Sequence, residues 1–264
     1  LPFGLIFWQL LIGVVLLGAI TLARGTGFHF QRRHLKLYAL IALIGTLVPN
    51  TASFTAAVHL PGGVLAIIIS MVPMFAFPIA LWMGLERFDL RRLCGLLLGL
   101  AGVVMLIAPE ASLPSKALAV FIPLAMVGPF CYGIEGNYVA KFGTQGLDPI
   151  QTLFGASLIG ACIALPLALA TGQWVDPFAS FGAPEAALVA SSAIHALVYA
   201  GYVWLVGRAG AVFAGQVAYL VTLSGVGWAM LLLDEAYSPY IWAALGLMLA
   251  GMFFVQPRQK EALA

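Results

Sequence analysis

Charged residues are scarce in this chain: Asp, Glu, Lys and Arg make up 8% of its 264 residues. A soluble domain carries about 25% charged residues, so an ordinary water-exposed surface is excluded. The hydrophobic share of 62% agrees with this. The net charge of +2 is too small to indicate a nucleic-acid partner. The composition predicts a protein whose surroundings are the lipid bilayer.

The residues that build metal, redox and catalytic sites are also few. Cys94, Cys131 and Cys162 lie in apolar runs without paired spacing, which predicts packing residues and neither disulfides nor metal ligands. The sequence has no P-loop, so ATP drive would need another subunit. The apolar runs hold no H-E-x-x-H motif and no Asp pair. We therefore expect no metal, no cofactor and no enzymatic activity.

Long apolar runs are what the chain has instead. A membrane-spanning helix needs about 20 predominantly apolar residues. Nine such runs follow one another, at residues 2–22, 37–57, 63–84, 93–108, 118–139, 150–171, 184–205, 211–233 and 239–256. Short polar, Pro- or Gly-containing connections separate them, the shortest at 207–210. The runs do not alternate as barrel strands do, so we predict an all-α integral membrane protein without an extramembrane domain.

The orientation follows from the Lys and Arg residues near the ends of the runs. If the spans alternate, eleven of the twelve lie on one side, and Lys116 is the exception. Positive residues concentrate in cytoplasmic loops. We therefore expect Leu1 outside and a cytoplasmic tail at 257–264, in a bacterial-type inner (plasma) membrane.

The second half of the chain repeats the plan of the first. A shift of 149 residues places Glu86 on Glu235 and Gly102 on Gly251, which predicts one repeat at 1–110 and another at 117–256. The span at 118–139 has no counterpart, so we expect a further helix before Leu1 and ten spans in all. Five spans per repeat place the two halves in opposite orientations. Such inverted repeats are typical of secondary transporters, whose substrate site lies where the halves meet.

Polar residues occur at matched positions inside the two repeats. They are Thr46, Asn50 and Ser53 in the first, and His195, Tyr199 and Tyr202 in the second. Their spacing places each set on one helix face. A polar stripe in lipid either lines a wet cavity or bonds to another helix. The symmetry favours a cavity, where hydroxyls, an amide, phenols and an imidazole would bind substrate.

Two further groups of polar residues lie within the spans. Tyr219 and Thr222, on a stripe with Gln216, are predicted to bind substrate, with interhelical bonding as the alternative. Glu135 is the only carboxylate inside any span. It is either a proton site or a residue paired near the cytoplasmic mouth, close to Lys141. His195 is a second candidate for proton coupling, since imidazole titrates near neutral pH.

The residues that recur through the duplication have simpler interpretations. Glu86 and Glu235 are predicted to cap the next helix or to pair with neighbours such as Arg87. The glycines at 95, 99, 102, 246 and 251 predict close helix packing within one half, or a dimer contact. The oligomeric state, monomer or larger, stays open.

Two long stretches carry a family resemblance. They are GGVLAIIISMVPMFAFPIALWMGLERFDLRRLCGLLLGLAGVVMLIAP at 62–109 and GAVFAGQVAYLVTLSGVGWAMLLLDEAYSPYIWAALGLMLAGMFFV at 210–255. Both combine small residues, a mid-span breaker or Thr, an acidic residue after a helix and a Gly-rich final helix. They resemble the drug/metabolite transporter superfamily, EamA type, over nearly the whole chain. Where the second half of the family often has Pro, this chain has Thr222, although Pro73 is present in the first.

The resemblance implies ten helices, a central cavity between two five-helix halves, and alternating access. It implies a secondary transporter of small metabolites, similar to the exporters of aromatic and other amino acids. The scarcity of charge within the spans favours a zwitterion or a neutral amphipathic solute. A flippase for lipid-linked substrates of the same fold is the alternative, and an intramembrane enzyme has less support. Substrate identity, coupling ion and direction stay open.

Overall fold

The structure of the chain, a computed structural model, describes residues 2–107, 116–179, 181–215 and 217–255, and omits the side chains of 106–107, 116–117, 206–215 and 218–219. Within these ranges it is helical, with no strand. The α-helices are α1 (Pro2–Ala23), α2 (Arg32–Ile41), α3 (Val48–Ala57), α4 (Gly62–Ile69), α5 (Val72–Trp82), α6 (Leu90–Ile107), α7 (Phe121–Phe142), α8 (Pro149–Ala170), α9 (Ala183–Gly215), α10 (Val217–Leu233) and α11 (Pro239–Val255). A π-helix, Ala42–Leu47, joins α2 to α3, and a 3-10 helix, Lys116–Val120, precedes α7.

Six helical segments are long and apolar enough to cross a membrane. They are Pro2–Ala23, Arg32–Ala57, Gly62–Trp82, Leu118–Phe142, Pro149–Ala170 and Ala183–Leu205. Shorter apolar helices occupy Leu220–Leu233 and Pro239–Val255. The predicted all-α membrane architecture is confirmed, because the six longer segments, of 21 to 26 residues, reach the roughly 30 Å of hydrocarbon that a span must cross.

One predicted connection is wrong. Residues 207–210 were expected to separate two spans, but the backbone stays helical through them and α9 ends only at Gly215. This stretch contains no proline, and alanine at 209 and 211 favours the helix over a turn. The two glycines there do not suffice to end it.

Two of the described spans depart from regular α-geometry in their interior. The third span is interrupted between α4 and α5 at Ser70 and Met71, just before Pro73, which has no N–H to continue the hydrogen-bond ladder. In the second span the Val48 N–H bonds to the Leu43 carbonyl, the i→i−5 pattern of a π-turn.

The chain divides into two compact units that do not coincide with the predicted repeats. Unit 1 comprises Leu1–Thr51 and Phe142–Arg208, and unit 2 comprises Ala52–Lys141 and Ala209–Ala264. Each unit therefore contains helices from both predicted repeats. The repeats at 1–110 and 117–256 stay a prediction.

In unit 1, α8 is the central element, with α1 and α2 packed against it. Small residues allow the close approach. At Gly155 an added Cβ would lie within 2.4 Å of ring atoms of the fully buried Tyr38. At Gly13 of α1 it would lie 3.2 Å from the Ser157 hydroxyl oxygen on α8. These contacts bring the polar side chains of both helices close together.

In unit 2, α6 packs along α11 and α4 along α10. A core of buried aliphatic residues, including Val64, Ile67, Met248 and Met252, fills the unit. An added Cβ at Gly95 would lie 2.6 Å from the Gly251 carbonyl oxygen. The predicted close packing within one half is thus wrong for this pair: α6 and α11 come from different predicted repeats, and the tight contact lies between them.

Candidate functional site

A small cavity lies inside unit 1, enclosed by α1, α2, the π-helix, α8 and α9. Its volume is about 20 Å³, enough for about one water molecule. Seven apolar residues line it together with five uncharged polar ones: Gln9, Leu10, Gly13, Leu17, Ile41, Thr46, Leu153, Ala156, Ser157, His195, Ala196 and Tyr199. None of these twelve side chains carries a formal charge when His195 is neutral.

Three of the predicted substrate-binding residues meet at this cavity. Thr46 reaches it from the π-helix, and His195 and Tyr199 reach it from α9. Their four-residue spacing places His195 and Tyr199 on one helix face, with ring centroids 5.9 Å apart at 52°. Residues from both predicted repeats therefore line one cavity.

The π-helix determines where Thr46 lies. Pro49 has no N–H to donate to the carbonyl four residues earlier, so the regular ladder is interrupted here. The wider π-turn accommodates this, and such turns are frequent at functional sites. Thr46 is 6% exposed and borders the cavity.

Asn50 is linked to the cavity through a residue that was not predicted. Its Nδ2 donates a hydrogen bond of 3.0 Å to Oε1 of Gln9, which lines the cavity from α1. Sequence reasoning missed Gln9 and Ser157. Gln9 had a readable signal, because it is the only amide side chain in the first apolar run. Ser157 had none, since a small hydroxyl residue is common at helix contacts.

The other predicted substrate-binding residues are not brought to this cavity. Tyr202 is 40% exposed on α9 and does not line it. Ser53 is half-buried and Thr222 fully buried, both in unit 2. The Thr222 hydroxyl has no hydrogen-bond partner among the described residues. The Tyr219 side chain and Gln216 lie outside the described part of the chain.

Glu135 lies in unit 2 on α7, where it is 7% exposed. The buried Cys131 occupies the same helix face, one turn earlier. Six residues beyond Glu135, the Lys141 ammonium donates a 2.8 Å bond to the Met83 carbonyl, after the end of α5. The Asn137 amide likewise bonds to the Ala76 carbonyl on α5. These two bonds join the C-terminal end of α7 to α5 and to the residue that follows it.

The recurring Glu86 and Glu235 both make structural contacts in unit 2, and that of Glu86, an ion pair with a nearby arginine, is of a predicted kind. Glu86 pairs with Arg92, at 2.9 Å, where Arg87 was expected. Glu235 caps an earlier helix and not the next one: its carboxylate accepts hydrogen bonds from the Gly62 and Gly63 N–H groups at the start of α4. An anion is favourable at a helix N-terminus.

Tyr237, in the connection between α10 and α11, completes the Glu235 contact. Its hydroxyl donates to the same carboxylate. Burial first, and then this hydrogen bond to Glu235, raise the pKa of the Tyr237 phenol well above its usual range. The group stays neutral and serves as a donor.

Within the described residues, no group of three or more His, Cys, Asp or Glu side chains is placed to hold a metal ion. The three cysteines are free, with Cys131 buried and Cys94 and Cys162 exposed.

Comparison with known proteins identifies related sequences and folds. The family model described as the EamA-like transporter family matches residues 1–108 and 120–256. Twelve solved chains match this one in structure. One, described only as the crystal structure of a protein, has a TM-score of 0.62 and 19% identity, covering 96% of this chain and 87% of that one. Comparison with curated proteins gave no match. At such identity the structural likeness shows the fold alone.

Proposed function

The chain belongs to the EamA-like transporter family, and on that premise we propose that it is a secondary transporter of amino acids or similar amphipathic solutes. Family and apolar helices together make it an integral membrane protein and a transporter of small solutes. The proposal adds the substrate class, export by alternating access, a bacterial-type inner membrane and a cytoplasmic C-terminus. Enzymatic catalysis is no part of it.

The lining of the cavity in unit 1 carries the proposal. Its polar groups are an amide, two hydroxyls, a phenol and an imidazole, and its remaining walls are aliphatic. Binding sites for small molecules combine apolar walls with a few placed polar groups. An ion of net charge would be left without a partner in such surroundings. The lining therefore suits a solute whose net charge is zero, such as an amino acid with an uncharged side chain.

The small size of the cavity indicates which state of the proposed transport cycle the structure represents. A volume of about 20 Å³ cannot hold a metabolite. We take it as the closed form of the site, which has to widen when substrate enters. A solute that binds the wide form more tightly than the closed one would shift the population towards it.

Glu135 is the proposed site of proton coupling. A carboxylate inside a membrane-spanning helix is costly, so such residues face functional paths or partners. Glu135 is buried in unit 2, whereas the cavity lies in unit 1. The proposal therefore assigns coupling and substrate binding to different residues, with His195 in the cavity as the second titratable group.

Counterflow in liposomes tests the proposal. The full-length protein is reconstituted, and exchange of labelled amino acids is measured for the wild type and for His195→Ala and Tyr199→Ala. Each substitution removes a hydrogen-bonding ring from the cavity wall. The apparent affinity should therefore fall about tenfold, since one hydrogen bond contributes about 1–1.5 kcal/mol.

Val198→Ala is the matched control. Val198 is adjacent to Tyr199 on α9 but is 61% exposed and does not line the cavity, so its substitution should leave counterflow unchanged. Exchange untouched in both ring variants would contradict the site while keeping the carrier. Absence of exchange with every amino acid would contradict the substrate class and turn attention to lipid-linked substrates.

A further inference from the structure

We infer that Gln9 and Asn50 form an amide pair that binds the polar end of the solute and selects for zero net charge. The inference rests on the proposed function and adds a specificity-determining element to its site. Gln9 lies on α1 and Asn50 on α3, directly after the π-helix. Neither the duplication nor the matched polar positions point to Gln9.

The geometry places the pair at the edge of the cavity. The Asn50 Nδ2 lies 3.0 Å from the Gln9 Oε1, and Gln9 itself lines the cavity beside Thr46. Asn50 is 7% exposed. The bond joins two helices of unit 1 in surroundings that otherwise consist mostly of aliphatic side chains.

The mutual hydrogen bond explains how the site stays shut without substrate. A buried polar group that loses its partner costs free energy, so an empty site needs its polar groups to satisfy one another. Two side-chain amides offer four N–H donors and two carbonyl oxygens between them. Their single mutual bond leaves donors and acceptor capacity for a solute. When the cavity widens, the polar end of the solute can take the place of one amide.

The pair also accounts for selection by charge. Amides donate and accept hydrogen bonds but cannot neutralise an ion, and the other lining residues add no carboxylate, ammonium or guanidinium group. A zwitterion or a neutral solute binds without leaving a net charge unpaired, whereas a cation or an anion does not. The ligand is therefore a solute of zero net charge with a hydrogen-bonding end and an apolar body.

A charge placed on the pair should change this selection. Gln9→Glu is isosteric and introduces a carboxylate at the cavity wall, where it can pair with an ammonium group. The probes are leucine, which is a zwitterion, and leucine methyl ester, which carries the ammonium group without the carboxylate. The readout is the concentration of each probe that gives half of the ligand-induced increase in Tm of the purified protein.

We expect the ratio of ester affinity to leucine affinity to be about tenfold higher in Gln9→Glu than in the wild type. This is about the contribution of one hydrogen bond to a charged group. Gln145→Glu makes the same chemical change on an exposed connection and should leave the ratio unchanged. Should Gln9→Glu fail to fold, Asn50→Asp introduces the charge on the other side of the pair and predicts the same gain.

The outcomes separate this inference from the proposed function. The inferred role of the amide pair is overturned if both Gln9→Glu and Asn50→Asp fold but show no gain for the ester. This holds even if wild-type counterflow of leucine is intact. A gain for the ester supports the pair. If that gain occurs in a protein that binds leucine but exchanges no amino acid, the pair stands and the proposed transport of amino acids is wrong.

Discussion

A single amide in an apolar helix has few ways to satisfy its hydrogen-bonding groups. Gln9 bonds to Asn50 on another helix, and together with Thr46, His195 and Tyr199 it forms a polar cluster of neutral groups. Thr222 differs from Gln9, because its fully buried hydroxyl has no hydrogen-bond partner among the described residues. A polar residue in a span is thus a candidate for function, and only its neighbours decide the role.

Glu135 leads to a prediction at this scale. Glu135→Gln keeps the shape of the side chain and removes the proton-binding group. If Glu135 couples transport to protons, accumulation driven by an imposed pH gradient should be abolished. Counterflow, which needs no gradient, should persist. Both are measured in the same liposomes.

Glu185→Gln provides the control. Glu185 accepts a hydrogen bond from the Gly182 N–H at the start of α9 and so lies at the end of a span. Its substitution should leave both activities intact. Proton-driven accumulation that survives Glu135→Gln would show that the coupling site lies elsewhere.

At the scale of elements, the irregular helices carry the functional detail. The π-helix between α2 and α3 positions Thr46 at the cavity, and the interruption between α4 and α5 follows from Pro73. The corresponding helix of the second half has Thr222 in place of that proline, and α10 continues without a break. In both irregular helices a proline, which has no N–H to donate, lies just after the irregular turn: Pro49 in one and Pro73 in the other.

The α6–α11 contact gives a prediction for stability. In Gly95→Ala the new methyl group would lie 2.6 Å from the backbone carbonyl of Gly251, which cannot move aside as a flexible side chain could. The helices must separate, so we expect a loss of about 1–3 kcal/mol. Thermal unfolding in detergent would show this as a lower Tm.

Gly246→Ala is the matched control on α11. Nothing lies within 4 Å of the position where its Cβ would be placed, and alanine favours a helix over glycine by about 1 kcal/mol. Its Tm should therefore stay the same or rise. Equal Tm values for the two variants would mean that α6 and α11 are not closely packed.

At the scale of the whole molecule, the two predicted repeats along the chain do not coincide with the two compact units of the structure. Each compact unit takes helices from both predicted repeats, so the halves of the sequence are not the halves of the fold. The cavity accordingly receives Gln9 and Thr46 from the first repeat, and Ser157, His195 and Tyr199 from the second.

The predicted orientation can be tested by thiol labelling. In a background with alanine at the three native cysteine positions, Asp176→Cys and Gln145→Cys place single thiols on exposed positions in opposite connections. The excess of Lys and Arg on one side predicts that the connection at 171–182 is outside. An impermeant reagent should then label Asp176→Cys in intact cells, and Gln145→Cys only after permeabilisation. The reverse pattern would overturn the orientation and with it the cytoplasmic C-terminus.

The sequence by itself determined the fold class and most of the helix positions. Apolar runs of this length satisfy their backbone groups in lipid only as helices, so composition and run length suffice. The polar positions Thr46, His195 and Tyr199 could also be found, because a polar residue in such a run stands out. The connection at 207–210 was wrongly predicted, because glycine only weakly opposes a helix and α9 continues through this stretch.

Only the tertiary structure decided which of these residues meet. Helical spacing places residues on a face, but the packing of α1 and α2 against α8, together with the position of α9 at the same cavity, determines which faces enclose it. Gln9 and Ser157 also contact the cavity, through approaches between helices that the matched polar positions did not predict. Tyr202 lies outside the cavity and is exposed. Glycines 95 and 251 likewise lie 156 positions apart in sequence yet touch in unit 2, because close backbone approach depends on shape and not on order along the chain.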